Sequence, residues 1–388
     1  MEQRKRFIED WLAGGGENVA ALCRLYEISR KSGYKWLERF RQGGLAALEE
    51  RSHAAQRHPN KIAEQIEQGV IAARHRHPSW GPKKLRAWLE ERDPQTAWPA
   101  PSTIGEALKR AGLVRTRSRG PRLSEVASSP LRVPQHANEI WTIDYKGQFR
   151  TGDGVLCYPL TVVDAYSRYL LGCAAHCGTR HQQARRSVER LFREYGLPER
   201  IRSDNGTPFA STGAGRLSRL NVWWWKLGIV VERIDPGKPQ QNGRHERLHR
   251  TLKAETARPP AGNQRSQQAR FDRFRQEYNQ QRPHESLGLK PPARFYQQAP
   301  RPYPKQIPEP EYPGHWERRR VRRDGSVKFQ GEMYFLSEAL AGELTGWVEV
   351  QEAIWQVWFG PVEVAIYDAL SRSLWPIGGA VSGPRGGR

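Results

Sequence analysis

Hydrophobic positions along this chain change their period twice. Up to about residue 135 they recur every three to four residues, the mark of amphipathic helices. In V-A-A-L-C-R-L-Y-E-I-S-R-K-S-G-Y-K-W-L-E-R-F, Val19, Leu22 and Cys23 fall on a first short helix. Tyr26-Glu27-Ile28 reads as a turn, and Ser29 as the N-cap of a second helix with Trp36, Leu37 and Phe40 inside. That is the pattern of a helix-turn-helix, although Glu27 stands where such turns often carry glycine. An ordinary helical hairpin fits the segment nearly as well. A second helical unit follows: one helix ended by Pro78, one begun at Gly81-Pro82, and one headed by Thr103 and Glu106 at capping-box spacing.

From His136 to Tyr296 the pattern alternates. Strands are expected at 140–145, 155–163, 168–176, 200–203 and 229–234, and helices at 180–195, 214–227, 241–256 and 266–281. Such an order predicts a mixed α/β sheet with helices packed on it. A proline-rich stretch follows, and 314–370 returns to strand-like alternation in G-W-V-E-V-Q and I-W-Q-V-W-F, with Asp324-Gly325 as a hairpin signal. The fold class expected is therefore multidomain: all-α helix-turn-helix units, an α/β core and a small C-terminal β-barrel. The expected boundaries are 1–55, 56–115, a linker at 116–135, 136–296, a proline-rich linker at 297–313, 314–370, and a disordered tail at 371–388.

Charge narrows the choice of partner. The chain has 63 Lys plus Arg against 41 Asp plus Glu, a net charge of +22. A field of that size favours polyanions. Residues 1–135 hold 25 Lys plus Arg against 15 Asp plus Glu. Arg30, Lys31, Lys35 and Arg39 would face a DNA groove from the second helix of the first unit. Arg115, Arg117 and Arg119 lie in a stretch where every charge is positive, suited to tracking a phosphate backbone or simply to solubility. His75 and His77 read as exposed phosphate contacts. The N-terminus lacks an apolar signal core and no run approaches transmembrane length, which predicts a cytoplasmic protein without membrane contact. Four scattered cysteines suggest no disulfide framework; Cys173-Ala-Ala-His176-Cys177 reads as part of a buried strand rather than a zinc site.

Three carboxylates carry the candidate chemistry. Asp144 lies in the strand-like I-W-T-I-D-Y, where Trp141, Ile143 and Tyr145 share one face and Thr142 and Asp144 the other. Asp204 ends a second strand at Ser-Asp-Asn-Gly, and Glu246 opens a helix after Asp-Pro-Gly-Lys-Pro-Gln-Gln-Asn-Gly. Carboxylates from two strand ends and a helix suit hard Mg²⁺ or Mn²⁺, and two such ions per site can serve phosphoryl transfer. On a helical wheel Asn242, Glu246, His249, Arg250 and Lys253 share a face and Leu248 and Leu252 oppose it. Glu246–Arg250 is also ordinary salt-bridge spacing. Asp164 reads as a supporting group or a structural cap, outside the catalytic set. Trp223, Trp224 and Trp225 cannot all face one core, so two are expected inside and one exposed or against a partner.

The core resembles the insertion-sequence transposase and retroviral integrase superfamily, through W-T-I-D-Y, S-D-N-G-T-P-F, P-x-x-N-G-x-x-E at Pro239–Glu246, and Y-N-Q-Q-R-P-H-E-S-L at Tyr278–Leu287. The resemblance implies a ribonuclease-H-like core with Asp144, Asp204 and Glu246 as catalytic metal ligands. It implies a bacterial, nucleoid-associated DNA transposase that works as a homo-oligomer on double-stranded DNA, freeing a 3′-OH and joining it to target DNA. Arg250 and Lys253 would position the DNA backbone, while Asn242 and Gly243 would let the loop close on substrate. The alternatives are a catalytically silent DNA-binding regulator of the element and, last, a nuclease for RNA–DNA hybrids. Two departures stand out. The 41 residues from Asn205 to His245 exceed the family's usual gap, and a helix extension near Trp223 is expected to absorb the excess. The zinc-binding His/Cys domain of retroviral integrases is absent, with Cys23 the only cysteine before residue 136.

Overall fold

The computed structural model describes residues 2–49, 62–114, 131–211, 213–234 and 243–377. Contacts divide the chain into two units, Met1–Ala63 and Glu64–Arg388. Arg115, Arg117, Arg119 and Asn242 lie outside the described residues.

The first unit packs α1 (Glu2–Ala13), α2 (Val19–Leu25) and α3 (Arg30–Gly43) around Phe7, Ile8, Cys23, Leu37 and Leu48. Ser29 caps α3 as the sequence predicts, its hydroxyl accepting the Ser32 N–H at 3.1 Å. The turn before it passes through Glu27 at φ 52°, a left-handed conformation that favours glycine. Sequence reading missed Gly33, which lies where α2 and α3 approach: a Cβ there would sit 2.4 Å from Cys23 Sγ.

The second unit begins with α4 (Glu64–Arg76), α5 (Pro82–Arg92) and α6 (Pro101–Arg110), packed around Val70, Trp80, Leu85, Ile104 and Leu108. Helix α6 starts at Pro101, whose fixed φ suits a first turn, so Thr103 is internal and not a cap. His77 is not the exposed phosphate contact expected. It is 3% exposed, stacked on Trp80 at 3.8 Å, with Nδ1 2.7 Å from Glu277.

The core is a six-stranded mixed sheet of β1 (Ile140–Tyr145), β2 (Phe149–Arg150), β3 (Leu156–Asp164), β4 (Leu170–His176), β5 (Arg200–Ser203) and β6 (Val230–Arg233). Its order is β2-β3-β1-β5-β6, with β4 on β3. β1 runs antiparallel to β3 and parallel to β5. One face packs Trp141, Ile143 and Leu160 against α7 (His181–Tyr195) and α8 (Arg219–Lys226), through Val188, Phe192, Trp223 and Trp224. The other packs Val163, Leu170 and Cys173 against Leu248 and Leu252 of α9 (Gly243–Thr256) and Phe271 and Phe274 of α10 (Gln264–Gln280).

The excess before Glu246 does not lengthen a helix. Ala214–Arg216 forms a single 3₁₀ turn, and Ser218 and Asn221 make a capping box that starts α8 afresh. Ala214, Leu217 and Val222 instead join the apolar cluster of the C-terminal strands, and Trp225 packs there too. The third tryptophan thus meets a different part of its own chain.

The C-terminal strands are β7 (Glu317–Arg320), β8 (Ser326–Phe329), β9 (Glu332–Phe335), β10 (Leu344–Gln351), β11 (Ile354–Phe359), β12 (Val362–Asp368) and β13 (Ser373–Pro376). They form a sheet in the order β13-β12-β11-β10-β7 and a separate β8-β9 pair. The expected barrel is corrected accordingly: among the described residues no pairing closes the sheet, and β13 and β7 are its edges. Alternation encodes half-buried strands but not whether two edges meet. Asp324-Gly325 does turn the chain, with Gly325 N–H on the Arg322 carbonyl at 3.0 Å, yet the strands it joins pair elsewhere. The expected tail begins too early, because Leu374 is fully buried and β13 pairs with β12. Its glycine-rich surroundings masked a short strand.

Two substitutions test the first unit in a fragment spanning residues 1–63. Glu27→Gly should raise its stability by about 1 kcal/mol in urea denaturation, by relieving the left-handed backbone. Gly33→Ala should lower it by about 1–3 kcal/mol through overpacking, and Cys23→Ala in the same fragment should recover part of that loss. A neutral Gly33→Ala would contradict the close approach of α2 and α3.

Candidate active site

Two strand ends set the frame. Parallel pairing of β1 with β5 aligns Ile143 with Ser203, so the next residues, Asp144 and Asp204, come side by side. The expected alternation along β1 holds: Trp141 and Ile143 are buried in the α7/α8 face, while Thr142 and Asp144 meet α9. Asp204 Oδ1 is buried without a hydrogen-bond partner. Burial pushes its carboxyl above the usual carboxylate range, partly opposed by a backbone hydrogen bond from Gly206. An acidic oxygen kept out of water and left without a donor is suited to a cation.

Helix α9 lies across this frame with His245, Leu248, His249 and Leu252 buried. Glu246, Arg250 and Lys253 are exposed. His249 therefore belongs to the packed face and not to the outer stripe in which the wheel placed it. Its ring and that of His245 meet at one hydroxyl: Thr161 Oγ1 is 2.6 Å from His245 Nε2 and 2.7 Å from His249 Nε2. His245 Nδ1 lies 3.1 Å from Thr142 Oγ1, and His249 Nδ1 lies 3.8 Å from Asp144 Oδ2. Burial lowers the two imidazoles to about 3 for His245 and about 2 for His249, so both are neutral near pH 7. The signal for them was present in the sequence. Positions 245, 248, 249 and 252 follow the i, i+3, i+4, i+7 rule, but histidine counts as polar and hid the phase.

The three predicted carboxylates stand differently. Among the described residues the one group of three or more acidic or ligating side chains with ligand atoms within 4.8 Å of one another is Asp144, His245 and His249. Asp204 and Glu246 are not in it. Asp164 is fully buried and serves as a cap, with Oδ1 accepting the Asn138 N–H at 2.7 Å and Oδ2 the Ser167 N–H at 2.7 Å. His176 is bound on both ring nitrogens, by Tyr145 Oη and Ser187 Oγ, each at 2.8 Å. On α3, Arg30, Lys31 and Lys35 are exposed and Arg39 is half-buried.

Several buried imidazoles give a pH dependence whose sign is fixed. His176 is lowered to about 4 and His284 to about 3, besides His245 and His249. Each has an unfolded value near about 6.5, so below that pH the unfolded chain binds more protons than the folded one. Their stabilising contribution is complete above the unfolded value and is lost as pH falls toward the folded values. The raised Asp204 carboxyl acts in the opposite sense. Urea midpoints should therefore fall as pH drops from 7 to 4, and His245→Gln with His249→Gln should flatten the slope. An unchanged slope would show that these two rings are not buried neutral.

Comparison with known proteins adds the lineage. Integrase core domain models match residues 134–239 and 227–292, a helix-turn-helix domain model matches 3–55, and a homeodomain-like model matches 32–108. An uncharacterized 31.7 kDa protein of insertion element IS407 from Burkholderia multivorans is 28% identical over 236 residues, 59% of this chain and 81% of that protein. An uncharacterized 39.2 kDa protein of IS476 from Xanthomonas euvesicatoria is 26% identical over 299 residues, 75% of this chain and 81% of its own length. In structure, a chain of the simian T-cell lymphotropic virus intasome aligns over 76% of this chain and 97% of that one, with a TM-score of 0.38 and 16% identity. The chain thus carries an integrase core domain behind helix-turn-helix domains, and its relatives include proteins encoded by insertion elements, consistent with an insertion-sequence transposase of the retroviral-integrase superfamily.

Proposed function

We propose that this protein cuts the ends of its element and joins the freed 3′-OH to target DNA, with Asp144, Asp204 and Glu246 as its catalytic carboxylates. The observation that carries this reading is the β1–β5 register, which aligns two aspartates at adjacent strand ends and leaves one buried oxygen of Asp204 without a donor. Such oxygens fit a hard divalent cation such as Mg²⁺ or Mn²⁺. Two such ions, when bound, stabilise the attacking and leaving oxygens of an in-line displacement.

The chain's own residues do the positioning. Asp144 is held in a strand paired on both sides, by β3 and by β5, so its backbone cannot swing with the substrate. Asp204 sits at the mouth of the Asn-Gly turn, where a Cβ on Gly206 would lie 3.0 Å from Asp204 Oδ2, so a larger residue there would push that carboxylate aside by a few tenths of an ångström. Glu246 is carried on α9, at the rim of the face that packs on the sheet, and brings the third carboxylate from outside. Arg250 and Lys253 are exposed on the same helix, where they can neutralise the DNA backbone. Arg30, Lys31 and Lys35 supply contacts to double-stranded DNA from the N-terminal unit, with Arg39 beside them. Arg115, Arg117 and Arg119, outside the described residues, add positive charge suited to the same phosphate backbone. In the first step water displaces the 3′ oxygen of one phosphodiester; in the second that 3′-OH attacks a target phosphate and a target 3′ oxygen leaves. Joining two element ends to one target requires copies of the chain to act together, so a homo-oligomer on DNA is part of the reading.

Purified protein incubated with labelled element ends and Mg²⁺ tests it. Asp144→Asn, Asp204→Asn and Glu246→Gln should each lower cleavage and joining at least about a hundredfold, while leaving DNA affinity within a few fold. Full activity in any one of the three removes that carboxylate from the site. Lys31→Ala and Lys35→Ala should instead weaken DNA binding and reduce its salt slope by roughly one unit per lost phosphate contact.

A further inference from the structure

We propose that Asp144, His245 and His249 form a second, mixed nitrogen–oxygen site for a borderline transition-metal ion of the Zn²⁺ or Co²⁺ class, and that its occupation withdraws Asp144 from the DNA-joining site. The inhibitory half of this proposal rests on the reading of Asp144 as a catalytic carboxylate. The binding half does not.

Convergence of ligand atoms carries the argument. Asp144, His245 and His249 each offer one ligand atom, these atoms lie within 4.8 Å of one another, and both rings are buried. His245 Nε2 and His249 Nε2 both lie within hydrogen-bond distance of Thr161 Oγ1, at 2.6 and 2.7 Å. When the Thr161 proton is given to the Asp144 carbonyl oxygen at 3.2 Å, both rings can donate to that hydroxyl oxygen through Nε2–H. Each neutral imidazole then presents its lone pair at Nδ1, 3.8 Å from Asp144 Oδ2 for His249 and 3.1 Å from Thr142 Oγ1 for His245. Two imidazoles and a carboxylate held this close by packed elements offer three ligands to a cation.

The surroundings specify which kind. Two imidazole nitrogens and one carboxylate oxygen suit Zn²⁺ and its neighbours better than Mg²⁺, which prefers oxygen and retains water. Metal-ligating histidines characteristically donate their other ring N–H to a fixed acceptor, and Thr161 provides that acceptor for both rings at once. The two histidines sit one turn apart on α9, and Thr142 and Asp144 alternate on β1, so a helix and a strand already packed together hold the donors. Glu246 lies between the two histidines in sequence but is exposed. A mixed-site ion would therefore take one carboxylate of the catalytic set and leave the other two behind.

Co²⁺ titration of the metal-free full chain, followed by visible absorption and equilibrium dialysis, tests the site directly. His249→Gln and His245→Gln keep an amide N–H near Thr161 while removing the imidazole ligand, and each should weaken the strongest Co²⁺ site at least about a hundredfold. Thr161→Val should weaken it about 10–100-fold by freeing both rings to rotate. Circular dichroism and thermal melting in EDTA identify any variant that fails to fold. Asp204→Asn and Glu246→Gln should leave the Co²⁺ signal intact even where they abolish joining, which separates this proposal from the catalytic reading. In the wild type, Zn²⁺ should inhibit Mg²⁺-supported joining, and the two histidine variants should resist it. A Co²⁺ spectrum and affinity unchanged in well-folded His245→Gln and His249→Gln proteins would overturn the site. Inhibition by Zn²⁺ that persists in those variants would overturn its link to Asp144.

Discussion

The parallel pairing of β1 with β5 is the constraint on which the rest of the structure depends. Parallel strands cannot be joined by a tight turn, so the chain between them must make a crossover. Here it travels through β3, β4 and α7 before returning as β5. The detour supplies the apolar cover of one sheet face and leaves both strands ending at the same edge. Asp144 and Asp204 are 60 positions apart in sequence, yet the register makes them neighbours. A shift of one residue in either strand would turn one carboxylate into the α7/α8 core. Trp141 and Ile143 guard against that shift, since both are buried on the opposite face and would have to emerge.

Much of this was legible in the chain. Every core strand expected from alternation and β-branched composition is present, within two residues at either end. Ser29 capped its helix because an N-cap is a local matter, settled by one hydroxyl and an N–H three residues on. What local pattern could not settle was pairing at a distance. Asp324-Gly325 was visible as a turn, but nothing near it says that β7 pairs with β10 and β8 with β9. Whether the two edges of the last sheet meet was invisible for the same reason.

The candidate site was half legible. Asp144 and Asp204 sit at strand ends, and strand ends followed by Asn-Gly can be read directly. His249 was misplaced, and His245 passed over, because a wheel built on polarity assigns every imidazole to water. Burial reverses that assignment when hydroxyls wait on the facing strands, as Thr142 and Thr161 do. His77 taught the same lesson among the N-terminal helices, where a neighbouring indole and Glu277 replaced solvent. In each case the missing information was the identity of a partner far along the chain.

The extra residues between Asp204 and α8 have a consequence of their own. Ala214 and Leu217 belong to the apolar cluster of the C-terminal strands, and the Gly215 N–H donates to the Ile377 carbonyl at 2.7 Å. Only a handful of residues separate that anchorage from Asp204. The loop and the last sheet are therefore one heritable piece: trimming the loop to a shorter length would uncover the sheet's apolar side, and losing the sheet would leave the loop with nothing to hold.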